Sequence, residues 1–217
     1  VVGIVAWEGE SATALSWLAL VAVPPFAVLA MGWLVRGAQP AWALAVAPLF
    51  ALAWASSDSL AGETAATMLT AMGCIGLGWL LVSVAPARWL KLGIYAMAAI
   101  DVWFVAADLL QGPNAVLTAA APAELPRLQV VHFGSAVMGF GDLFIAATLG
   151  CLLALPADGP QSGQMVRLAA RRQLWAAALV AVLALGFDLL FFAVDVLPAT
   201  VPVALALALI ELWDRRV

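Results

Sequence analysis

The fold is constrained above all by apolar blocks of membrane-crossing length, which recur between short polar breaks along the whole chain. Each block needs about 20 residues to cross roughly 30 Å of hydrocarbon as a helix, because a helix rises about 1.5 Å per residue. A water-soluble domain carries roughly 25% charged residues, whereas Asp, Glu, Lys and Arg make up 10% of these 217 residues and hydrophobic types 66%. The expected fold class is all-α, a polytopic membrane helix bundle. Strand-like alternation of the kind that marks a β-barrel is absent.

Seven spans are expected, over 13–35, 41–56, 64–85, 89–110, 128–154, 173–194 and 197–213. Three of them form an N-terminal part, 1–87, and four a core over 88–217. Breaks with Arg36, with Asp58 and Glu63, with Arg88 and Lys91, and with Glu124 and Arg127 separate the first five spans. The longest hydrophilic connector, 156–172, holds Pro156, Asp158, Gly159, Pro160 and Gly163 and ends in Arg171-Arg172. In this arrangement Arg36, Arg88, Lys91, Arg167, Arg171, Arg172, Arg215 and Arg216 share one side, and only Arg127 falls on the other. Basic residues are retained in the cytoplasm, which places the N-terminus outside and the C-terminus inside. Short loops and an Ala-rich composition suit a prokaryotic inner membrane, so the lipid bilayer is the first partner. No basic patch accompanies the net charge of −4, and nucleic acid is excluded as a partner. The apolar start from Val1 to Trp7 fits a removed signal or a missing helix just before it.

Two acids stand out against this background. Asp101 lies about nine residues, or roughly 14 Å, from the outer end of span 89–110. Asp142 lies about ten residues, or roughly 15 Å, inward from His132 in span 128–154. An Asp at the bilayer centre costs roughly 2.5 to 3.5 kcal/mol on insertion scales, so it marks a functional position by default. The two spans run in opposite senses, and the carboxyls are expected to face each other across adjacent helices. Two close carboxyls in a low dielectric do not both ionise cheaply: one keeps a proton while the other acts as a base. Such a dyad can activate water against a peptide carbonyl and protonate the leaving amine, which requires a watery cavity at mid-membrane. Gly139 and Gly141 leave room for a second backbone beside Asp142. The same glycines, with Gly134 and Ser135, also fit close helix packing without any chemistry.

The residues around both acids resemble those of the presenilin and signal peptide peptidase family of intramembrane aspartyl proteases. Ile100-Asp101-Val102-Trp103-Phe104-Val105 is similar to the family's Tyr-Asp segment, and Gln111-Gly112-Pro113 follows as its Gly-Pro does. Gly139-Phe140-Gly141-Asp142 reproduces the family's Gly-x-Gly-Asp motif in full. Leu197-Pro198-Ala199-Thr200-Val201-Pro202 takes the place of its Pro-Ala-Leu segment, with Thr200 where the family has Leu; Pro202-Val203-Ala204-Leu205 offers a second alignment. The resemblance implies Asp101 and Asp142 as catalytic residues and a presenilin-like core. It implies Gly139, Phe140, Gly141, Pro198, Ala199 and Thr200 around the substrate, and transmembrane helices or remnant signal peptides as substrates. It implies no cofactor and no metal. Ile100 replaces the family's Tyr, which removes a phenol near Asp101, and three spans rather than five precede Asp101, so the likeness covers roughly 88–213.

Other residues read more plainly. Asp108 is expected at the solvated rim, and Asp188 as a structural hydrogen-bond partner in the sixth span. Cys74 and Cys151 are expected as buried thiols. His132 and Ser135 share one helix in this reading and cannot converge as a rhomboid-type pair. No H-E-x-x-H motif is present for a zinc protease. Lys91, the only lysine, sits at a span boundary, away from any retinal-binding position. Trp42, Trp89 and Trp213 fall near span ends, as interfacial aromatics do. An alternative function is a proton- or cation-coupled transporter or leak pathway built on the same aspartates. A prepilin-peptidase-like enzyme shares the Gly-x-Gly-Asp string, but its acids belong near the cytoplasmic boundary.

Overall fold

A computed structural model describes residues 8–57, 59–107, 125–133, 136–154, 163–188 and 198–214. Helix dominates. Helix α1, Glu8–Leu29, continues into a π-turn over Ala30–Leu34. A 3-10 segment, Pro40–Ala45, leads into α2, Val46–Ala55. Then come α3, Leu60–Val84, and α4, Ala87–Ala106. After the antiparallel strands β1, Val130–Phe133, and β2, Ala136–Gly139, follow α5, Phe140–Ala154, α6, Gly163–Asp188, and α7, Val201–Asp214.

Local chemistry sets several of these boundaries. Gly37 adopts a left-handed φ of 78°, a conformation that costs glycine little, and the chain turns there after the π-turn. Pro40 opens the 3-10 segment at a position where its missing N–H is no loss. Ser59 Oγ accepts the Gly62 N–H at 3.1 Å, an N-cap that starts α3 with Glu63 in its first turn. Pro86 disfavours helix at the residue before it, so α3 ends at Val84 and α4 begins afresh at Ala87.

Four stretches are long and apolar enough to cross a membrane: Ala12–Leu34, Leu60–Val84, Ala87–Ala106 and Ala170–Phe187. Their outward faces carry exposed Leu18, Val21, Trp103, Trp175, Val182 and Leu185, which water would not tolerate in such number but acyl chains would. The chain is a helical, membrane-embedded protein. Pro40–Ala55 and Phe140–Ala154 are shorter apolar segments.

The main departure from the sequence reading lies within 128–154, expected as one continuous helix. Helix covers only Phe140–Ala154, and the first third is a hairpin pairing Val130 with Gly139, Val131 with Met138, His132 with Val137 and Phe133 with Ala136. Val130, Val131, Phe133 and Val137 favour extended backbone. Asp142 is therefore not ten helical residues from His132, which lies in β1. The 15 Å helical depth assigned to this carboxyl does not hold.

The chain divides into two compact units. The first is Val1–Gly78 with Leu109–Phe144, and the second Trp79–Asp108 with Ile145–Val217. In the first, Ala19, Val23 and Ala27 of α1 pack with Val46 and Ala53 of α2, Ala65 and Leu69 of α3, and Leu128 ahead of β1. Glycines allow α1 and α3 to approach: a Cβ on Gly76 would overlap the Phe26 carbonyl, and one on Gly73 would sit 3.0 Å from Val23. In the second unit, Ile94 and Ala98 of α4, Ile145, Leu149 and Leu153 of α5, Ala176 of α6, and Val203 and Leu207 of α7 form one core. The C-terminal end of α7 is tied by ions. Lys91 Nζ lies 2.8 Å from Glu211 Oε1, Tyr95 donates to Glu211 Oε2 at 3.1 Å, and Arg172 pairs with Asp214.

Candidate active site

Asp101 occupies the last turns of α4 and is half-buried. Its partner is Thr200, the residue before α7 begins. Thr200 Oγ1 donates to Asp101 Oδ2 at 2.7 Å, and the Thr200 backbone N–H donates to the same oxygen at 3.2 Å. The 2.7 Å O–H···O distance is that of a well-formed hydrogen bond. Pro198-Ala199-Thr200 forms a turn rather than helix: the Val201 N–H reaches Pro198 O at 3.3 Å, and the Ala204 N–H reaches Thr200 O at 3.2 Å. Pro202 is the second helical residue and has no N–H to leave unpaired. The carboxyl of Asp101 thus meets the N-terminal end of α7.

Asp142 is placed by a different device. Gly139 closes β2, Phe140 opens α5, and Asp142 falls at the third helical position. Its Oδ2 accepts the Gly139 N–H at 3.2 Å, which is the acidic arm of a capping box. The Phe140 N–H is taken by Gln129 O at 3.1 Å, so β1 and the start of α5 are joined directly. Helix α3 anchors the same region: Thr70 Oγ1 donates to Leu128 O at 3.2 Å, and Cys74 Sγ lies 3.9 Å from Phe140 O. The Phe140 ring stacks on Phe144 with centroids 6.3 Å apart, and it packs against the core of the first unit.

The glycines divide in their roles. A Cβ on Gly139 would lie 3.4 Å from Asp142 Oδ2, an ordinary contact, while one on Gly141 would meet nothing within 4 Å. Gly141 is exposed, leaving room for a group from outside the chain.

The structure brings Asp101 together with Thr200 and its Pro198-Ala199 turn, and Asp142 with Gly139, Phe140 and the hairpin. Asp101 belongs to the second unit and Asp142 to the first. Asp108, Gln111-Gly112-Pro113, Gly134, Ser135 and Leu197 lie outside the described residues; Asp188 is the last residue of α6. Cys74 and Cys151 are buried, and neither is in a disulfide. Among the described residues, no three His, Cys, Asp or Glu side chains gather as metal ligands. Thr200 as a donor to Asp101 and the hairpin ahead of Asp142 went unrecognised in the sequence. The signals were a short hydroxyl residue preceding a helix and a β-branched run.

No protein-family model, curated protein or solved structure matches the chain at a significant level.

Proposed function

We propose that the chain is an intramembrane aspartyl endopeptidase, presenilin-like in its core, in which Asp101 and Asp142 share the activation of one water molecule. The observation that carries this reading is that each acid sits beside backbone that is not helical. Asp101 contacts the Pro198–Thr200 turn, and Asp142 accepts the N–H of Gly139, the residue that ends the hairpin. Within a bilayer, irregular backbone persists only where protein buries it or where it lines a watery cavity. Hydrolysis needs that water, and it needs acids that can pass a proton.

The reaction requires the two carboxyls to converge. One carboxylate takes a proton from water as the oxygen attacks the scissile carbonyl; the other, holding a proton, gives it to the leaving amine. A helical substrate hides its carbonyls in its own hydrogen bonds and must unwind first. Gly141 leaves the space beside Asp142 open to an unwound peptide. The substrates on this reading are transmembrane segments or remnant signal peptides, in a prokaryotic inner membrane with the C-terminus of the enzyme cytoplasmic.

The test is cleavage of a reporter transmembrane peptide by purified protein in lipid. Asp101→Ala and Asp142→Ala are each expected to abolish it while leaving the helical circular dichroism intact. Cleavage retained by both variants would end the reading. Failure of the unaltered protein to cleave, together with proton or cation flux that both substitutions abolish, would establish the transporter instead.

A further inference from the structure

Thr200 is 4% exposed, and its hydroxyl is spent on a carboxylate 99 residues away. A threonine just before a helix ordinarily turns its oxygen to accept a backbone N–H of the second or third helical residue. Here the second is Pro202, which has no N–H to give. The hydroxyl instead donates to Asp101 Oδ2, alongside the N–H of the same residue.

Two donors from one residue make a fork that grips one oxygen. The backbone arm is fixed by the turn that starts α7, and the β-branched side chain restricts the hydroxyl arm to few rotamers. The far end of α7 is held in turn by Glu211 on Lys91 and Tyr95 and by Asp214 on Arg172. A carboxylate gripped this way cannot rotate its two oxygens into each other's place without breaking both bonds.

We propose that Thr200 is a positioning residue that binds Oδ2 of Asp101 and so reserves Oδ1 for the reacting water, rather than a residue that contacts substrate. This rests on the endopeptidase reading. A proton-transfer group held within a narrow range of orientations gains in the chemical step and not in binding.

The test compares Thr200→Val and Thr200→Ala, which lack the hydroxyl, with Thr200→Ser, which keeps it, in the full chain reconstituted in lipid. The first two are expected to lower kcat roughly 10- to 100-fold, the range for losing one hydrogen bond to a charged group, with KM changed less than about threefold. Thr200→Ser is expected to recover most of the loss. A second readout does not depend on activity. The carboxyl infrared band of isotope-labelled aspartate, assigned to Asp101 by its disappearance in Asp101→Asn, should shift in Thr200→Val and Thr200→Ala and return in Thr200→Ser. Folded Val and Ala variants with unaltered kcat would overturn the role, as would equal losses in all three variants or a raised KM at constant kcat. Absence of cleavage by the unaltered protein would instead remove the endopeptidase reading and the role together.

Discussion

Asp142 carries two demands at once, and its substitutions separate them. As the third residue of α5 it caps Gly139, a role in which an amide oxygen can replace a carboxylate oxygen. As half of the dyad it must exchange a proton, which an amide cannot do. Asp142→Asn should keep the bond to Gly139 and unfold close to the unaltered protein, whereas Asp142→Ala should lose about 1 kcal/mol, the usual worth of a helix cap. Both should be inactive. Thermal unfolding in detergent and peptide cleavage, measured on the same samples, check the pair of outcomes. Active Asp142→Asn would reduce this residue to a cap. The acids themselves were legible in the sequence because a carboxyl in an apolar run is costly wherever it lies. Their hydrogen bonds were not, since Thr200 and Gly139 become partners only through the turn and the hairpin that position them.

At the scale of elements, the long helices α1, α3, α4 and α6 were legible because hydrophobic length alone distinguishes a membrane helix from anything else. The stretch 128–154 was not, because hydropathy scores an apolar strand and an apolar helix alike. Only Val130, Val131, Phe133 and Val137 around Gly134-Ser135 could have divided it, and their β preference is weak evidence outside its tertiary setting. The close approach of α1 and α3 was equally silent: Gly73 and Gly76 look like any membrane-helix glycines until Val23 and Phe26 are seen against them. That contact makes a prediction of sign. Glycine to alanine inside a helix ordinarily stabilises by about 0.5 to 1 kcal/mol. In Gly76→Ala the new Cβ overlaps the Phe26 backbone carbonyl, which cannot swing aside as a flexible side chain would. Overpacking of this kind costs about 1 to 3 kcal/mol and should win. Gly93→Ala in α4, where a Cβ meets nothing within 4 Å, should be neutral or stabilising. Thermal unfolding of the two variants decides it: a Gly76→Ala protein as stable as Gly93→Ala would show that α1 and α3 do not meet there.

For the whole molecule, the orientation in the membrane turns on whether the short apolar segment Pro40–Ala55 crosses. Placing Arg36 and Arg88 together in the cytoplasm requires both Pro40–Ala55 and Leu60–Val84 to span. Leu60–Val84 has 25 residues, ample for the purpose. Pro40–Ala55 is marginal, but its first 6 residues are 3-10 helix and the next 10 α-helix. At about 2.0 and 1.5 Å per residue these reach at most roughly 27 Å, close to the roughly 30 Å of a hydrocarbon core. An α-helix of the same length would fall several ångströms shorter, so the tighter winding after Pro40 extends the segment's reach. Crossing also puts exposed Trp42, Leu44, Leu52 and Trp54 against lipid instead of water. The expected topology then has Ser57 outside and Arg88 inside. Single cysteines at these two positions, in a background with Cys74 and Cys151 replaced, should react differently with a membrane-impermeant thiol reagent applied to intact spheroplasts. Ser57→Cys should label at once, and Arg88→Cys only after permeabilisation. The reverse pattern at Ser57 with Arg88 exposed would mean that Pro40–Ala55 returns to the side it left, and the cytoplasmic placement of the basic residues would then fail at Arg36 or at Arg88.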